Sequence, residues 1–73
     1  MNQRQLNMIQ SSQDGIRLAR DELRGPGALE HMKRVLRDEF FSEGIRPMSL
    51  GRAAYVACFL IAWEDAGRPP ISP

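Results

Sequence analysis

Paired carboxylates are the residues in this chain best suited to chemistry, because two acids held at different pKa values can act as general acid and general base. They occur three times, as Asp21 and Glu22, Asp38 and Glu39, and Glu64 and Asp65. In every case the two are chain neighbours, and neighbouring side chains on a helix point in different directions. No pair converges within its own helix, so solvated surface charge is their expected role. Cys58 lies in an apolar run with no adjacent histidine or basic residue to activate it, where a thiol packs as a small hydrophobe. Histidine is the natural proton shuttle near neutral pH. Yet His31, the only one, has no second ligand or triad partner in the sequence and is expected at the surface.

One histidine and one cysteine are too few for a zinc site, and a single cysteine cannot close a disulfide within the chain. The segment Gly25-Pro26-Gly27 is followed by Ala-Leu-Glu-His, not by the lysine and hydroxyl of a phosphate loop. Without a converging nucleophile, base and cofactor loop, the chain is expected to be no enzyme and to bind no cofactor or metal.

Recognition is the alternative, and three residue sets could carry it. Phe41 projects on its helical wheel beside Glu30, Arg34 and Arg37, and an aromatic among arginines has the composition of a protein-interface hot spot. The competing reading is that the helix frays there and the ring folds back onto Tyr55 or Leu50. Arg17, Arg20 and Arg24 share one side of an earlier helix, and with Lys33, Arg34 and Arg37 they offer a candidate nucleic-acid contact. Asp21 and Glu22 interrupt that stripe, and the net charge of the chain is only +1, a weak footprint for a phosphate binder. Ala54, Tyr55, Cys58, Phe59, Ala62 and Trp63 form the third set, candidates for contact with a second copy.

The elements that must hold these residues are three helices. Leu6, Ile9, Ile16, Ala19 and Leu23 fall on one stripe at helical spacing, with Met8 at its edge, which predicts a helix over about 3–24 ended by the Gly-Pro-Gly segment. Leu29, Met32, Val35, Leu36 and Phe40 form the apolar face of a second helix over 28–42, with Gly44 placed to close it. Ser49 is a suitable cap for a third helix over 50–66, stopped by Gly67, Pro69 and Pro70. Residues 1–67 thus read as one helical domain, and 68–73 as an extended proline-rich tail.

The third helix has no charge in the eleven residues from Ala53 to Trp63. Tyr55, Phe59 and Trp63 make an aromatic ridge, while Gly51, Ala54, Cys58 and Ala62 make a small-residue ridge that invites close approach by another helix. A chain of 73 residues buries only about 60% of its unfolded surface. An all-α hairpin or bundle completed by homodimerisation through this helix is therefore expected. No run reaches the ~20 apolar residues of a membrane span, and the first ten residues lack the apolar core of a signal peptide, so a cytoplasmic location without membrane contact is expected. The leading functional expectation is a regulator, adaptor or inhibitor that masks or bridges a protein partner. A nucleic-acid-binding regulator and a structural subunit of a larger hetero-oligomer are the alternatives.

Overall fold

The computed structural model describes residues 1–42 and 47–71 and contains three helices, α1 (Gln3–Glu22), α2 (Ala28–Glu39) and α3 (Leu50–Asp65), with no strand among the described residues. Both α1 and α2 pack on α3, α1 the more extensively, so the most apolar helix is also the central one. Local chemistry sets the helix ends. Asn2 caps α1 reciprocally: its side chain accepts from the Gln5 backbone N–H at 2.8 Å, and its own N–H donates to Gln5 Oε1 at 2.9 Å. The Ser49 hydroxyl accepts from the Arg52 backbone N–H at 3.1 Å to open α3. At the far end Gly67, with φ of 85°, lets its N–H and that of Arg68 reach back to the carbonyls of Glu64 and Trp63.

The second helix is shorter than its pattern predicts. The helix ends at Glu39: the Phe40 N–H still makes the regular bond to the Leu36 carbonyl, but the Phe41 N–H reaches back to that same carbonyl, one residue further than in an α-helix, which opens the last turn. Phe40 stands half exposed, as does Leu29 at the other end of α2. Gly44, expected to close this helix, lies outside the described residues.

The core is Ala19 from α1, Met32, Val35 and Leu36 from α2, and Tyr55, Val56 and Phe59 from α3. Gly15 and Gly51 set the distance between α1 and α3. A Cβ at Gly15 would collide with the Gly51 carbonyl, and one at Gly51 would stand 2.8 Å from the Ser11 carbonyl oxygen. Gly51, the first residue of the small ridge of α3, thus receives a closely approaching helix, the chain's own α1. Residues 68–71 have no regular structure and lie against the body: the Trp63 indole N–H donates to the Pro69 carbonyl at 2.8 Å, and Ile71 packs against the core.

Candidate interaction surface

Two ridges on α3 imply two neighbours, and the chain supplies both. Tyr55 and Phe59 are buried, while Cys58, Ala62 and Trp63 are partly buried against the same core. The chain's own helices cover part of α3: α1 approaches it closely at Gly51, and His31 of α2 meets Tyr55 and Phe59. Tyr55 and Phe59 have almost no surface left to offer a second copy. The apolar residues that α3 leaves exposed are Leu50, Ala57 and Ile61, spaced to share one face, with Ile61 62% accessible.

A second uncovered apolar surface lies on α1. Ser11 and Gly15 meet Gly51 in the first turn of α3, so the turns of α1 before Ser11 run past the start of their partner. Leu6, Met8 and Ile9, which belong to the stripe that predicts the helix, are accordingly 47%, 47% and 43% exposed. From Gln5 to Gln13 there is no charge at all. Met1, Gln5, Met8, Ile9, Ser12 and Gln13 line a shallow trough of about 710 Å³ walled on the α3 side by Leu50. Exposed apolar surface of this kind, framed by neutral polar groups, is the usual signature of a contact area.

Further along the same helix, Gln13, Ile16, Arg17, Arg20, Asp21 and Arg24 line a second trough of about 580 Å³. The structure therefore brings together the three arginines singled out as a nucleic-acid contact. Among the described residues none of the three has an ion-pair partner, whereas Lys33, Arg37, Arg52 and Arg68 are paired with Glu30, Asp38, Glu39 and Glu64.

Phe41 stands half exposed just beyond the end of α2. The Phe41 ring stacks edge-on against Trp63, with centroids 5.4 Å apart, and against Phe40 at 4.9 Å. It folds back onto the body, on Trp63 in place of the expected Tyr55 or Leu50. Arg37 is held by its neighbour Asp38 at 2.9 Å, which raises its pKa through the hydrogen bond first and the charge second.

A cluster that residue spacing within single helices does not show joins all three helices. His31 Nε2 of α2 lies 3.3 Å from Glu22 Oε2 of α1 and 3.2 Å from the Tyr55 hydroxyl of α3, and the imidazole stands edge-on to Phe59 at 5.4 Å. His31 is therefore partnered and partly buried, not a free surface histidine. Glu22 Oε2 is sealed from solvent without a well-aligned hydrogen bond, which makes the neighbouring imidazole its main compensation. Burial, followed by hydrogen bonding to Glu22 and its charge, pushes the Tyr55 phenol well above its ordinary ionisation range. Next to it Arg52 lies over the Tyr55 ring at 4.3 Å and grips both oxygens of Glu39, with Nε to Oε2 at 2.7 Å. Glu39 raises the Arg52 pKa, mainly by that hydrogen bond. The one hint of the cluster in the sequence is that Glu22 and His31 stand almost symmetrically about Pro26, where a helical hairpin would set them opposite each other.

A neutral phenol, an imidazole beside the Glu22 carboxylate, and a Glu39 carboxylate held by the Arg52 guanidinium supply an interhelical polar lock. No group of histidine, cysteine and carboxylates among the described residues is arranged to hold a metal ion, and no described helix is long and apolar enough to cross a membrane. No protein-family model matches the chain, and neither a curated protein nor a solved structure is found to be similar to it.

Proposed function

We propose that the chain is a small non-enzymatic protein-binding module, a regulator, adaptor or inhibitor that works by laying α1 against another protein. The observation that supports this most is the uncharged, apolar N-terminal half of α1, which its own fold leaves uncovered around Met8 and Ile9. Full burial of such a side chain is worth roughly 1.5–3 kcal/mol, and since Met8 and Ile9 are about half exposed a partner that covers them gains about half of that from each. The test is affinity capture from source cells with the wild-type chain and Ile9→Gln in parallel. A protein retained by the first and lost with the second is the expected result; identical captures would overturn the reading.

A second reading, that the chain also self-associates, is favoured by Ile61, which stands exposed in the middle of an apolar helix beside Ala57. Light scattering at micromolar concentration tests it. A dimer that Ile61→Glu converts to monomer is expected, and a wild-type monomer would remove the reading.

A further inference from the structure

We propose that the α1 surface is the docking site for an acidic amphipathic helix of another protein. The helix lies antiparallel to α1, its acidic first half over Arg17, Arg20 and Arg24 and its apolar second half over Met8, Ile9 and Leu50. This rests on the protein-binding reading above and gives the partner a chemistry and a direction.

Charge complementarity supplies the first half of the ligand. Three arginines without ion pairs among the described residues line one trough, against a single acid, Asp21. Elsewhere among the described residues Lys33, Arg37, Arg52 and Arg68 pair with carboxylates while Arg4 and Arg34 do not, so three of the five unpaired arginines share this one trough. The second half follows from continuity. Gln13 lines both troughs, so the basic surface passes without a gap into the apolar one bounded by Met8, Ile9 and Leu50. From Met8 to the end of α1 at Glu22 the helix rises about 21 Å, and Arg24 lies just beyond it, so the surface matches a four- to five-turn ligand helix.

Direction follows from the helix dipole. Acidic residues are most favourable near the N-terminus of a helix. A ligand that begins with its acids places that end over Arg24 only if it runs antiparallel to α1. Its apolar second half then reaches Met8 and Ile9.

Two other occupants fit less of the surface. A second copy paired two-fold about Gln13 would set Ile9 against Arg17 and Leu6 against Arg20, apolar against charged at each end. A nucleic acid would satisfy the arginines but bring phosphates against Met8, Ile9 and Leu50, which offer them no donor.

Fluorescence anisotropy with labelled peptides of about 18 residues tests this on the full chain. The peptides are one with a glutamate-rich first half and a leucine-rich second half, the same halves in reverse order, and the first with its glutamates changed to glutamine. A random-sequence DNA duplex is the fourth probe. The acidic-first peptide is expected to bind, the other two peptides and the duplex about tenfold or more weakly. Arg20→Glu with Arg24→Glu should lower its affinity by at least about tenfold, and added salt should weaken it. Both residues are exposed, and unchanged circular dichroism checks that the fold survives.

Equal binding of the glutamine peptide would overturn the acidic chemistry while leaving the protein-binding reading intact. Equal binding of the reversed peptide would overturn the direction. Tighter binding of duplex DNA would overturn the proposal and give the arginines to a nucleic acid. Self-association abolished by Ile9→Gln would overturn it in favour of a second copy. If no peptide binds, the docking proposal falls, and the broader reading is decided separately by the Ile9→Gln capture.

Discussion

The middle of α3 and the N-terminal half of α1 are both charge-free, eleven residues from Ala53 to Trp63 and nine from Gln5 to Gln13. They meet opposite fates. α3 loses Tyr55, Val56 and Phe59 to the core, whereas every residue of the chain up to Gln10 is exposed. Apolar content does not account for the difference alone; register does. Ser11 and Gly15 are locked onto Gly51 at the very start of α3, so the turns of α1 that precede this contact have no helix beside them. A 20-residue α1 laid on a 16-residue α3 must overhang somewhere, and the glycine contact places the overhang at the N-terminus.

The largest effect is expected from moving that contact. Leucine is nearly 1 kcal/mol better than glycine as a helix former. Nevertheless Gly15→Leu should destabilise the chain by about 2–3 kcal/mol, because its side chain must enter the space held by Gly51 and the Tyr55 backbone. Urea unfolding followed by circular dichroism measures it. A stabilised variant would mean that α1 does not owe its register to this crossing, and the account of the overhang would fail with it.

The three helices are legible in the sequence because their signals are local: Ser49 as a cap, Gly67 as a stop, and helical spacing between them. The two ridges of α3 are legible for the same reason, since a wheel needs only the helix itself. Their neighbours are not. Whether Gly51 and Tyr55 face α1, α2 or a second chain depends on packing between segments far apart in sequence, and periodicity carries no such information. The frayed last turn of α2 is legible as an alternative, but the partner of its ring is not, because Phe41 meets Trp63, a contact 22 positions away. Part of the candidate surface is visible early: Arg17, Arg20 and Arg24 stand at helical spacing. Its apolar half is hidden within a stripe that reads as core, since nothing in Leu6 or Ile9 announces where α3 begins.

A smaller effect concerns the polar lock that fastens the covered end of α1. Tyr55→Phe removes the hydroxyl that meets His31, and a lost hydrogen bond of this kind costs about 1 kcal/mol near neutral pH. The pH dependence has a definite sign. The phenol is raised in the folded state, chiefly by burial, above the value of about 10 that it takes in an unfolded chain. The folded state therefore holds the proton longer, so the contribution is complete below about pH 10 and lost as pH rises from there toward the folded value. Tyr55 is the only tyrosine, so tyrosinate absorbance reads this one group directly. The wild type should lose stability above about pH 10 and Tyr55→Phe should lose less. Ionisation at the free-tyrosine value in the folded chain would show that the phenol is not sealed between the helices.

The smallest effect on stability, expected at Ile9, is the most discriminating. An isoleucine at helical spacing on an apolar stripe is normally core, and truncating such a residue costs about 2–5 kcal/mol. Ile9 obeys the spacing and is 43% exposed, because its turn lies beyond Gly51. Ile9→Gln should therefore change stability by less than about 0.5 kcal/mol, as surface substitutions do. Urea midpoints of the two chains at equal concentration give the comparison. A loss of several kcal/mol would place Ile9 in a packed interior, and because the monomer provides none there, the same result repeated at higher and lower concentration would reveal whether a second copy supplies it. An unchanged midpoint together with lost partner capture is the combination that separates an interaction surface from a core, and it is the one that the overhang of α1 requires.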